Sequence, residues 1–233
     1  MSRSKPRRLQ VVCEGPTDLV VIEAAVRNLL EEEFILEMIQ PEEPAFGRGS
    51  GQGPHGGGWK GVRSWSQQQR DELGSFSASP ALLRADLVIL HLDADVASDE
   101  EIECEKPCPP AVDTVESLRR VALEWLGETR CPSRLVLCLP SKNTEAWVLA
   151  ALYPDDPLVQ DELECRPEPE RRLVGRPERL VRRRSGGGKG YKKQRRRYQE
   201  QLDRMAESWP TVQKTCPTAE RFHQELVEAL FGS

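Results

Sequence analysis

Three short apolar runs, Leu9–Cys13, Leu87–Leu92 and Leu135–Leu139, each stop abruptly, two of them at acidic residues and the third at a proline turn. Five or six residues suffice for a buried strand and fall far below the roughly 18–20 that a bilayer-spanning helix needs. Their Val, Ile and Leu content without polar alternation marks strands covered on both faces, the habit of parallel sheets. A helical pattern follows the first run. Leu9-Gln10-Val11-Val12-Cys13 ends in Glu14-Gly15-Pro16, Thr17 stands at a helix N-cap position, and Asp18 to Glu33 carries apolar residues at 19, 22, 26, 29 and 30.

Phe34 to Ile39 reads as a second strand, and the glycine-dense stretch from Gly47 to Gly61 reads as a long flexible loop. That loop lacks the strand, GxxxxGK[ST] and helix sequence of a phosphate-binding P-loop, so an ATPase is not indicated. Helices are predicted over Ser66–Leu73 and Ser79–Arg84, and the run Leu87–Leu92 then stops at Asp93-Ala94-Asp95. An acidic, proline-rich linker over Ser98–Pro110 leads to an amphipathic helix, Asp113–Leu126. After the strand Arg134–Leu139, Pro140-Ser141-Lys142-Asn143 turns the chain and Thr144 caps a short helix, Glu145–Leu152. Strands alternating with helices predict an α/β fold with an open, mainly parallel sheet. Beyond Tyr153 the chain turns proline- and charge-rich, with helices expected over Tyr191–Trp209 and Thr218–Phe231. The expected division is a catalytic domain over 1–160 and a basic, partly helical extension over 161–233.

Charge is segregated along the chain. Between Arg166 and Arg204 there are 15 Lys and Arg against 5 Asp and Glu, although the whole protein carries a net charge of −5. Lys189, Lys192, Lys193, Arg195, Arg196 and Arg197, with Tyr191, Tyr198 and Trp209 available for stacking, form a candidate nucleic-acid-binding segment. The structural alternative is a solvated basic arm. Seven scattered cysteines, at 13, 104, 108, 131, 138, 165 and 216, read as reduced and structural, and CxxxC at Cys104 and Cys108 makes a poor zinc site. The basic start, Met1–Arg8, precedes an apolar run too short for a secretory h-region, so the expected location is the cytoplasm.

In open parallel sheets the functional crevice lies at the carboxyl ends of the strands. Glu14, Asp93 with Asp95, and Lys142, Asn143 and Glu145 all follow strands and are expected to meet there. Asp93 and Asp95, at a spacing of two, project to one side if the extended backbone continues through them. Carboxylates of this kind suit Mg²⁺ or Mn²⁺, which can polarise a phosphoryl oxygen while Glu14 completes the ligand set or moves a proton. Each acid taken alone is more often a cap or turn residue than a catalyst.

The order strand, Glu14-Gly15-x-Thr17-Asp18, helix, then a buried strand ending in Asp93-x-Asp95, resembles the Toprim domain of topoisomerases, primases and the nucleases of the overcoming-lysogenisation-defect type. Pro140-Ser141-Lys142-Asn143-Thr144-Glu145-Ala146-Trp147 is similar to a later segment of the small phage-defence nucleases, so the resemblance spans about residues 9 to 152. It implies a Toprim-like fold, Mg²⁺ or Mn²⁺ as cofactor, and a metal site of Glu14, Asp93 and Asp95 with Asp18 and Glu145 as additional groups. It also implies a lysine near the site, for which Lys142 and Lys189 are the candidates. No topoisomerase tyrosine domain, primase zinc module or ATPase head accompanies it. The reading is therefore a metal-dependent DNA or RNA nuclease, an antiviral defence effector or nuclease subunit, with a regulatory protein partner or a second copy of the chain and no membrane association. The alternatives are a non-catalytic nucleic-acid- or protein-binding module and a nucleotidyl- or phosphotransferase.

Overall fold

A computed structural model describes residues 5–42, 53–106, 108–160, 163–166, 168–184 and 190–232. In chain order the elements are β1 (Arg7–Val12), α1 (Pro16–Leu29), β2 (Phe34–Gln40), α2 (Gly58–Leu73), α3 (Pro80–Arg84), β3 (Leu87–His91), α4 (Ala111–Trp125), β4 (Leu135–Cys138), α5 (Glu145–Leu152), α6 (Glu170–Leu173), β5 (Val181–Arg183), β6 (Tyr191–Lys193), α7 (Arg195–Gln199), α8 (Leu202–Glu207), α9 (Trp209–Thr215) and α10 (Pro217–Phe231). The first four strands form one sheet in the order β2-β1-β3-β4, every neighbouring pair parallel. The protein is thus α/β with helices on both faces.

The two-residue period of the strands divides the core. Leu9, Val11, Leu87, Ile89, Val136 and Cys138 point to one side, where α1, α5 and the C-terminal helices α8 to α10 cover them. Val12, Val88, Leu90, Leu135 and Leu137 point to the other, beneath α2, α3 and α4. Because both faces are covered, these strands need apolar residues at nearly every position, which is why they read as unbroken runs. The registers pair Val12 with Leu90 and His91 with Cys138, so the strands end together. Past the strands, hydrogen bonds from Leu92 N to Cys138 O, Ala94 N to Pro140 O and Asp95 N to Lys142 O extend the ladder into the loops and fix them against each other.

Several expectations are corrected here. The glycine-dense segment becomes helix from Gly58, with Trp59 and Lys60 inside α2, and its residues 47–52 lie outside the described residues. Gly61 is packed so tightly that a Cβ would stand 2.6 Å from Gly56 O and 2.7 Å from Gln40 Nε2, so glycine there serves close approach. The stretch Tyr191–Trp209 is not one helix but a strand and two short helices leading into α9, because the chain must pair with β5 and then wrap around α1. Tyr198 and Trp209 are buried rather than presented for stacking. Cys108 and Cys165, 57 residues apart, are joined in a disulfide, against the expectation that all cysteines are reduced; their meeting is tertiary and leaves no local pattern in the sequence.

Trp147 is fully buried between Trp209, edge-on at 5.7 Å, and Phe222, stacked at 5.9 Å. This cluster pins α5, and with it the loop after β4, to the C-terminal helices. Trp147→Ala is expected to cost about 3–5 kcal/mol in equilibrium urea unfolding, whereas replacing the exposed Leu83 by Ala should leave the transition within about 0.5 kcal/mol of its starting position.

Candidate metal centre at the carboxyl edge of the sheet

Glu14 leaves β1 in the tight turn before α1, which opens with Gly15 at the N-cap and Pro16 in the first helical turn. The expected cap Thr17 lies within the helix, and the Gly15 carbonyl instead accepts the Asp18 N–H at 3.2 Å. Asp18 therefore sits buried in the first turn of α1, where the positive end of the helix dipole favours a carboxylate. The Glu14 carbonyl accepts the Gly58 N–H at 2.9 Å, which ties the glycine-rich entry of α2 to the same edge. Thr144 stands at the N-cap of α5, but its hydroxyl is spent on Asp18 Oδ1 at 2.9 Å rather than on its own helix.

Glu14 and Asp93, 79 residues apart, meet: Glu14 Oε1 accepts the Asp93 N–H at 2.8 Å. Asp93 Oδ1 in turn accepts the Thr144 N–H at 3.2 Å and lies 3.2 Å from His91 Nε2. Asp18, His91 and Asp93, all buried, present one ligand atom each within 4.8 Å of one another. His91 was not among the residues singled out in the sequence. Its signal is parity: it ends β3 two residues before Asp93, the one titratable side chain in an otherwise apolar run.

Asp95 departs from expectation. The extended backbone stops at Asp93, and a 3-10 turn over Ala94–Ser98 carries Asp95 outward, leaving it exposed beside a buried Asp93. Lys142 contributes its backbone: at φ 65° it turns its carbonyl to the Asp95 N–H at 3.0 Å. Glu145 is fully buried and accepts the Tyr198 hydroxyl at 2.7 Å. Lys193, expected to contact nucleic acid, instead places Nζ 2.8 Å from Glu145 Oε2 and 3.5 Å from Asp18 Oδ1, because its place on β6 turns it toward the sheet. Lys192, Arg196 and Arg197 stay exposed and Arg195 is half-buried, with Arg196 and Arg197 both paired to Glu200. Lys189 lies outside the described residues.

The acids crowd one another. Burial, then the Asp93 charge, pushes the Glu14 carboxyl to about 8, with His91 opposing. Burial raises Glu145 to about 7 against the pull of Lys193. Partial desolvation and the Asp93 charge hold Asp95 near 7. Burial works against a charged His91, but the carboxylates of Asp18, Asp93 and Glu14 overcome it and raise the imidazole to about 9. Asp18 is lowered: burial opposes its charge, and Lys193 and His91 more than compensate.

This donor set fits a hard divalent cation on two counts. His91 Nδ1 is buried without a hydrogen-bond partner while Nε2 meets Asp93 Oδ1 at 3.2 Å, and the raised carboxyls record negative charge that Lys193 and His91 leave unbalanced. Carboxylate oxygens suit Mg²⁺ or Mn²⁺, and an imidazole nitrogen also admits a first-row transition ion. Comparison with known proteins gave no match to a protein-family model, a curated protein or a solved structure.

The shifts set a pH dependence. Glu14, Glu145 and His91 bind their protons more tightly in the folded chain than in the unfolded one, so their contribution to stability is complete below the unfolded values of 4.5, 4.5 and 6.5 and is lost as pH rises through about 8, 7 and 9. In chelator, the melting temperature is expected to fall between pH 6 and pH 9, and Glu14→Gln should flatten the decline. A melting temperature that climbs over this range would contradict the assignment.

Proposed function

We propose that this chain is a divalent-metal-dependent phosphodiesterase acting on DNA or RNA, a nuclease of Toprim-like type. The observation that carries the reading is the convergence of Asp18, His91 and Asp93 within 4.8 Å, with Glu14 on the Asp93 amide, at the carboxyl edge of a parallel sheet. Asp18, Asp93 and His91 would hold Mg²⁺ or Mn²⁺, with Glu14 adjoining. Such an ion supplies Lewis acidity toward a phosphoryl oxygen and offsets the substrate's negative charge.

The protein's own groups have separable tasks. Glu14, which holds its proton to about 8 beside the Asp93 charge, would give it up once a bound ion offset that charge and would then take one from the attacking water. The water oxygen joins phosphorus as the bond to the sugar oxygen breaks, and that oxygen takes up a proton. Glu145 acts as a positioning residue, held by Tyr198 and holding Lys193. Lys193 places a fixed positive charge beside the acids, where a phosphate would enter.

In Mg²⁺ or Mn²⁺, Asp93→Asn and Glu14→Gln are each expected to lower cleavage of a labelled oligonucleotide by about 100-fold or more, with an unchanged circular dichroism spectrum. Cleavage that persists in chelator, or survives Asp93→Asn, would sink the hydrolase. One observation favours a second reading: Lys193 already serves as an internal cation for Asp18 and Glu145, as a non-catalytic binding module would require. That reading predicts no Mn²⁺ binding by electron paramagnetic resonance in the folded wild-type protein.

A further inference from the structure

The β5–β6 hairpin has two unlike faces. Its register pairs Val181 with Lys193, Arg182 with Lys192 and Arg183 with Tyr191. Side chains alternate across a strand, so buried Val181 and the site-facing Lys193 lie on one face while Arg182 and Lys192 stand opposite each other on the other, both exposed. Like charges directly across a hairpin are destabilising. Among the described residues, neither meets a carboxylate, and neither do Arg179 and Arg183.

These arginines are not scattered over a flat surface. Arg179, Arg182, Arg183 and Arg197 line a cavity of about 490 Å³ with Val174 and Val181 in its wall. That volume falls within the ~300–1,000 Å³ typical of ligand pockets. Of the neighbouring acids, Glu178 is engaged elsewhere, accepting from the Tyr153 hydroxyl and from Arg204 at 3.0 Å, and Glu200 pairs with one cavity arginine, Arg197, at 2.7 Å. Arg179 enters the cavity from a backbone at φ 53°, a left-handed conformation that arginine seldom adopts.

We propose that this cavity is a phosphate-docking site for a nucleic-acid backbone, separate from the acidic centre and built on the same hairpin. Planar guanidinium groups match phosphate oxygens in pairs, and three of the four in this cavity have no acidic partner. The occupant is a polymer because exposed positive charge continues past the cavity at Arg184, Lys192 and Arg196, more than one small anion would use. The same hairpin thus carries the cavity arginines and, through Lys193, reaches the acids. The inference rests on the nuclease reading for the class of ligand, but its test does not depend on turnover.

Binding of a fluorescent 20-mer duplex is measured in EDTA at several salt concentrations, for the full-length protein and for the Arg179→Gln, Arg182→Gln, Arg183→Gln triple variant. The triple variant is expected to bind at least 10-fold more weakly, with a log K against log salt slope shallower by about 2–3 for the lost phosphate contacts. A control that removes the same charge elsewhere, Arg84→Gln, Arg130→Gln and Lys106→Gln, should change affinity less than 3-fold, and matched thermal melts establish that both variants fold. Equal loss in the two triple variants, or none in the cavity variant, overturns the proposal. Pyrophosphate or a mononucleotide that competes at micromolar concentration would identify a small phosphate compound as the occupant and likewise overturn it, as would capture of an acidic peptide in preference to the duplex. If Asp93→Asn leaves cleavage intact while the cavity variant still loses binding, the hydrolase mechanism falls and the docking site stands. The reverse pattern removes the docking site alone.

Discussion

The ion pairs of Lys193 with Asp18 and Glu145 join the two ends of the chain at one point. Gathering Glu14, Asp18, Asp93 and Glu145 at one sheet edge takes them out of water and brings like charges together, which a fold tolerates only with compensation. Compensation comes from three sources: the ammonium of Lys193, the imidazole of His91, and the backbone donors of Asp93 and Thr144. The fold is arranged around supplying these. The parallel registers bring β1 and β3 to the same edge, α1 and α5 begin at it, and the C-terminal helices carry β6 back across it.

The compensation is incomplete in a specific way. Glu14 keeps its proton to about 8, so the protein alone does not balance the cluster at neutral pH. A structural salt-bridge network of the ordinary kind lowers the carboxyls it contains, as Arg172 and Arg176 do for Asp156 once burial is overcome. Within one molecule, then, Asp156 is held charged by the Leu158 amide and two arginines, whereas at the sheet edge Asp18 is lowered but Glu14, Asp95 and Glu145 are raised.

Much of this edge was legible in the sequence because it depends on short-range pattern. Buried strands show as apolar runs, their ends show as abrupt stops, and Glu14, Asp18 and Asp93 fall at those stops. Asp95 misled for a local reason: a spacing of two predicts a shared side only while the chain stays extended, and a 3-10 turn intervenes. His91 was hidden inside the strand that it ends. Lys193 and the Cys108–Cys165 disulfide could not be read, since each depends on contacts across 175 and 57 residues, respectively, for which no local periodicity exists. β6 falls within a stretch expected to be helical and β5 within one given no element, because three-residue strands rich in Arg and Lys carry no apolar alternation.

The separation of Asp18 from Lys193 also sets an order of assembly. A ribosome adding ~5–20 residues per second delivers the lysine roughly 10–35 s after the aspartate, long after the strands bearing the acids have been made. Until then the acids have the His91 imidazole but not the Lys193 ammonium to offset their repulsion. The ammonium that completes the sheet edge therefore arrives late in synthesis, ahead only of the helices α7 to α10 that follow it in the chain.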